Sequence, residues 1–131
     1  MLVNICCKMY IQQRVKGVIA MNYDEIFNAI DELYEKNMTD EILVELTEAF
    51  YKAAFEYTKD RVQWNFYTIE EKQENDSSRT HKHNSFMDNY NILLRYLERT
   101  MDVSKLRIEG ERKVLGDFAN YVVYKLAVKQ R

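Results

Sequence analysis

The sequence predicts an all-α fold, an up-and-down bundle of about four helices with a long second helix. Three observations carry that expectation. The 131 residues contain no proline and only three glycines, so little interrupts a helix. Apolar residues recur at three- and four-residue spacing through most of the chain. No stretch alternates apolar and polar residues as a half-buried strand does. The one run of strand formers, Tyr121-Val122-Val123-Tyr124, has helical spacing on both sides. A chain of this length is one domain with enough residues for a real core. Ten tyrosines, six phenylalanines and Trp64 give that core an aromatic character.

Residues 1–20 differ from the rest. They hold both cysteines, Cys6 and Cys7, and three basic residues without an acid. The charges sit mid-segment and no long apolar run follows, which is not the layout of a secretory signal. Lys16–Met21 can be encoded with the ribosome-binding string GGAG just ahead of an ATG. We therefore expect a non-core leader or a mis-assigned start, with Met21 as the initiator and residues 21–131 as the domain. Adjacent cysteines make a poor disulfide framework and point to a reducing, cytoplasmic compartment.

From Met21 the elements follow in order. Asn22 is placed to cap a first helix, with Glu25 as its capping-box partner and Ile26, Phe27, Ile30, Leu33 and Tyr34 on one face. Thr39 is placed to cap the second, whose stripe runs Ile42, Leu46, Phe50, Ala53, Tyr57, Trp64, Tyr67. That length predicts a kink near Lys59-Asp60-Arg61. The polar run Glu70–Asn75 reads as a last turn and a loop. Ser78 or Thr80 then caps a third helix, with Phe86, Met87, Tyr90, Leu93, Leu94, Leu97 and Met101 inward. Asp102-Val103-Ser104 breaks it, and Gly110 marks a turn. The last helix uses Val114, Leu115, Phe118, Tyr121, Val122 and Leu126. Short connections between helices of this size predict antiparallel neighbours.

Charge and hydropathy remove some functions. A net charge of −2 supplies no basic field for nucleic acid. No apolar run approaches the roughly 20 residues that span a bilayer. A soluble protein without a membrane or nucleic-acid partner is expected. The basic group Lys105, Arg107, Arg112 and Lys113 is offset by Glu109 and Glu111 and reads as a solvated face.

The chemistry-bearing stretch is Asp76-Ser77-Ser78-Arg79-Thr80-His81-Lys82-His83-Asn84. It holds both histidines, an arginine and three hydroxyls where one helical pattern is expected to stop and another to start. Helix N-termini with such groups bind anions. His83 shares a helical face with Met87, Tyr90 and Leu94 and is expected to point inward, with Arg79 one turn earlier. Inward polar groups need partners. Asp117, which interrupts the apolar face of the last helix, is the expected one, with Glu71 or Glu74 as alternatives for Arg79. The polar centre is therefore Ser78, Arg79, Thr80, His83, Asn84 and Asp117. It is either a hydrogen-bond network that fixes helix register or a binding site.

Other chemistry lacks its parts. His81-x-His83 with Asp88 is not a zinc spacing, because side chains two apart diverge on a helix. Ser77, Ser78 and Thr80 have no strained elbow or oxyanion turn. There is no phosphate-binding glycine loop and no dinucleotide fingerprint, so no cofactor is implied.

Two resemblances attach to these residues. The pattern Asp76-Ser77-Ser78-Arg79-Thr80-x-x-His83-Asn84, followed by Gly116-Asp117-Phe118, resembles one in small uncharacterised helical proteins of Firmicutes. That likeness spans about Trp64 to Tyr121. It implies a bacterial helical protein whose polar centre is Arg79, His83, Asn84 and Asp117. Arg79-Thr80-x-x-His83 is more remotely similar to the HEPN class of helical ribonucleases. In that class an arginine, often followed by a polar residue, precedes a histidine by four to six intervening residues; here three intervene. This second resemblance implies His83 as general acid/base and Arg79 as the stabiliser of developing phosphate charge, without metal. The residues themselves favour a non-enzymatic binding or regulatory module for a protein partner or a small anionic ligand. A homodimer is one form of such a partnership.

Overall fold

The computed structural model describes residues 22–130. The expectation for residues 1–20 lies outside them. Among the described residues four helices form an all-α bundle: α1 (Tyr23–Lys36), α2 (Glu41–Trp64), α3 (Ile69–Leu97) and α4 (Arg112–Lys129), with a 3-10 turn at Ser104–Leu106. Among the described residues there is no strand.

Local chemistry sets the helix starts. Asn22 caps α1 by accepting from the Glu25 amide at 2.8 Å, and its own amide donates to the Glu25 carboxylate. Asp40, not Thr39, caps α2, accepting from the Leu43 amide at 3.1 Å. Its carboxyl is held below the ordinary range by the Leu43 amide first and the Tyr96 hydroxyl second. The phase of α2 turns with this: Leu43 and Thr47 are buried and Ile42 faces out. Thr47 is satisfied inside the core by donating to the Leu43 carbonyl at 2.7 Å.

The largest correction is at α3. The second helix ends at Trp64 rather than continuing through Tyr67, and the third begins at Ile69, well ahead of Ser78 and Thr80. Thr68 closes a capping box: its hydroxyl accepts from the Glu71 amide at 3.1 Å, and the Glu71 carboxylate accepts from the Thr68 amide at 3.0 Å. The run Glu70–Asn75 is thus the first part of a 29-residue helix, not a loop. It lacks an apolar stripe, so periodicity cannot find it. Good helix formers and the cap sustain it.

The first three helices alternate in direction. Tyr34 reaches Glu48 and Tyr51 reaches Asp31 between α1 and α2. Asp40 meets Tyr96 and Trp64 meets Arg79 between α2 and α3. The connection after Leu97 then carries the chain back along α3, anchored where the buried Tyr90 hydroxyl donates to the Leu106 carbonyl. Burial pushes the Tyr90 phenol well above its usual range. α4 starts beside Tyr23, whose hydroxyl reaches the Val114 carbonyl, and pairs along α1: Tyr121 and Lys125 on Asp24, Lys129 on Asp31 and Glu35.

One aromatic cluster joins three helices. Phe50 of α2, Phe86 and Tyr90 of α3 and Phe118 of α4 lie with ring centroids 5.0–6.1 Å apart. Each is buried. Truncating one of these phenylalanines to alanine costs about 3–5 kcal/mol. This core fixes the first half of α2 against α3 and α4, and Tyr57, packed near Phe86, extends it toward the end of α2 where the site lies.

Candidate anion-binding site

Residues Asp76–Asn84 lie in the middle of α3, not at a helix start. Their backbone amides are used within the helix, so the cluster offers no helix N-terminus to an anion. The helical repeat also splits it. Arg79, Lys82 and His83 are part-buried toward α2, whereas Asp76, Ser77, Ser78, Thr80, His81 and Asn84 are exposed.

Each side chain has its own surroundings. The Arg79 guanidinium lies over the Trp64 ring, 4.4 Å from its centroid, with the Lys72 ammonium 5.9 Å from the same ring. Thr80 accepts from Arg112 at 3.5 Å. Lys82 pairs with Glu56 at 3.4 Å. His83 sets its ring edge-on to Tyr57 at 5.5 Å, and its Nδ1 lies 3.2 Å from Asn84 Oδ1. His83 is therefore half-buried rather than enclosed. Met87, expected beside it on the inner face, is 37% exposed, and Phe86 takes the core position.

Asp117 does not join this group. Its Oδ1 lies 3.6 Å from Arg61 Nη2, both side chains part-buried. The Arg61 guanidinium also lies 6.0 Å from the Tyr57 ring centroid and against Gly116. A Cβ at position 116 would fall 2.5 Å from Arg61 Cζ, so the hydrogen of glycine is what lets the guanidinium lie on α4. Arg61 is the functional candidate that the sequence reading missed. Two features pointed to it: Arg61 stands four residues after the inward Tyr57, and Gly116-Asp117 interrupts an apolar face with a small residue and an acid.

Arg61 and Arg79 meet at one pocket. Its volume is about 210 Å³, and Arg61, Val62, Trp64, Asn65, Arg79 and Asn120 line it. Two buried polar atoms of its lining, Arg61 Nη1 and Asn120 Oδ1, have no hydrogen-bond partner among the described residues. Nearby in α2, Thr58 Oγ1 and Asp60 Oδ2 are in the same condition but belong to residues outside the lining. A buried donor left unpaired costs about 1–3 kcal/mol. The Asn120 amide can present either its oxygen or its NH₂ to the pocket. Among the described residues Arg79 has no carboxylate within ion-pair distance, whereas Arg61 has one, Asp117.

The remaining features are simpler. Among the described residues no group of three or more histidine, cysteine, aspartate or glutamate side chains is placed to hold a metal ion. None of the described helices is long and apolar enough to cross a membrane. No protein-family model matches the chain, and comparisons with curated proteins and with solved structures likewise give no match.

Proposed function

We propose that this protein is a non-catalytic binding module whose pocket between α2, α3 and α4 receives an oxyanion. The observation that carries the reading is the convergence of Arg61 and Arg79 on one pocket, where Arg79 has no carboxylate partner among the described residues. Asp117 holds the Arg61 side chain in place through Nη2, while Nη1 packs against Gly116. Trp64 supplies a flat wall on which the Arg79 guanidinium rests. Two guanidiniums present forks that match carboxylate or phosphate oxygens, and a part-buried setting strengthens those bonds. His83, Asn84 and Ser78 are not part of the lining.

Trp64 is the only tryptophan in the chain, so its fluorescence reports on this pocket. Titration with sodium phosphate, sulfate and glutarate, at ionic strength fixed with sodium chloride, should give a saturable change for at least one of them. Arg61→Gln and Arg79→Gln should each weaken that response by about tenfold or more, the scale of a charged hydrogen bond. A response that is absent or linear for all three anions would overturn the reading.

A further inference from the structure

Beside the pocket lies the most exposed apolar group among the described residues. Phe66 is 82% exposed, Ile69 73% and Val62 54%. Val62 lines the pocket itself. Phe66 follows it by four residues at the end of α2, next to the lining residue Asn65. Ile69 opens α3 on the side that carries Lys72 and Arg79, the two cations over Trp64. Large apolar side chains at this exposure, close together in sequence around one turn, are the kind of surface that another molecule covers.

The chemistry of the combined surface selects the occupant. A cationic pocket beside an apolar knob is complementary to a chain segment that carries a carboxylate close to apolar side chains. A free inorganic anion would use the pocket and leave Phe66 and Ile69 uncovered. An anionic bilayer would meet Glu70, Glu71, Glu74 and Asp76 along the same first half of α3, all exposed and close to the knob. Those four carboxylates repel an extended sheet of negative charge more than a segment that carries a single acid.

We infer that the α2–α3 turn is a docking surface for an acidic, amphipathic segment of a protein partner: a carboxylate enters the Arg61–Arg79 pocket, and adjacent apolar side chains cover Val62, Phe66 and Ile69. The inference rests on the oxyanion reading and adds the partner to it. The Lys72 ammonium adds positive charge beside the pocket. Phe66 and Ile69 are solvent-facing and can be replaced without opening the core.

The test is selection of random dodecapeptides displayed on phage against the full chain. Enriched sequences should carry Asp or Glu within a few residues of Leu, Ile, Phe or Trp. A synthetic copy of the strongest one should lose about tenfold or more in affinity when its acid becomes the amide. It should lose as much against folded Arg79→Gln and against Phe66→Ser/Ile69→Ser, each checked by circular dichroism. Failure to enrich, enriched sequences without an acid, or binding indifferent to Phe66 and Ile69 would overturn the inference. Two other results would overturn it as well. One is binding to phosphatidylserine vesicles that Phe66→Ser/Ile69→Ser abolishes. The other is a dimer in sedimentation that the same variant dissociates. If the peptide selection fails while Trp64 still reports saturable anion binding, only the partner falls. If both fail, the pocket reading falls with it.

Discussion

Asp117 of α4 pairs with Arg61 of α2, with 3.6 Å between Oδ1 and Nη2, although its sequence context points to Arg79 and His83 of α3. The pairing depends on Gly116, because the guanidinium occupies the place a Cβ would take. It ties the end of α2 to the start of α4 at the edge of the aromatic core.

Gly116→Ala separates stability from binding. Alanine is favoured over glycine within a helix by about 1 kcal/mol, and displacing a part-buried ion pair costs a similar amount. The two effects oppose each other, so the melting temperature should change by only a few degrees. The Arg61 guanidinium must move, however, and with it the pocket wall. Trp64-detected anion affinity should therefore fall severalfold in a variant whose thermal unfolding is nearly unchanged. Unaltered affinity would show that Arg61 does not shape the pocket.

Thr68→Ala tests the newly placed start of α3. Loss of the hydroxyl leaves the Glu71 amide without its side-chain acceptor, while the amide of residue 68 keeps the Glu71 carboxylate. The expected cost is about 1 kcal/mol, read from urea unfolding. Faster amide exchange over residues 69–75 should accompany it. Ser78→Ala and Thr80→Ala should stay within about ±0.5 kcal/mol, because both are exposed within the helix. A larger effect at Ser78 than at Thr68 would put the helix start back at the cluster.

These two tests bear on what the sequence could reveal. Helix count, the Asn22 cap and the inner face of α4 are legible, because apolar spacing and capping chemistry agree there. The early part of α3 is not, because Glu70–Asn75 has no apolar residue to register a period. A polar run of this kind reads as a loop, which makes the Asp76–Asn84 cluster resemble a helix N-terminus although it lies inside α3. The pairing of Asp117 is hidden for another reason. Whether Arg61 of α2 or Arg79 of α3 meets Asp117 is decided by packing between distant segments. Only Gly116 beside Asp117 hinted that a bulky group lies on that helix. For α2, a cap moved by one residue turns Ile42 outward and Leu43 inward.

The α1–α4 seam should make stability depend on acid. The Asp24 carboxyl is held below its ordinary range, first by the Tyr121 hydroxyl at 2.6 Å and then by Lys125 at 2.9 Å. A depressed folded-state value means that the unfolded chain takes up the proton first as pH falls. The stabilisation is thus complete above the carboxylate's unfolded value, near 3.9, and is lost as pH drops through the lower folded value. Asp24→Asn should flatten the melting temperature against pH between about 5 and 2 relative to the unaltered protein. Parallel curves for the two proteins would show that the seam contributes nothing to acid sensitivity.

The histidines separate a binding module from a ribonuclease. His83 rests edge-on against Tyr57, whereas His81 is exposed. An aromatic edge contact contributes about 0.5–1.5 kcal/mol, so His83→Ala should cost roughly 1 kcal/mol and His81→Ala within about ±0.5. If Arg79 and His83 instead formed a metal-independent nuclease site, the purified protein would cleave single-stranded RNA in the presence of EDTA. Each substitution would then remove about 10²-fold or more of that rate, the scale of proton transfer or of charge stabilisation. We expect no cleavage above a mock-purified control. The arrangement of the groups is the reason: Arg79 lies on Trp64 and opens toward the Arg61 pocket, while His83, one turn on, is engaged with Tyr57 and Asn84. EDTA-resistant cleavage that a well-folded His83→Ala variant abolishes would replace the binding module with an enzyme.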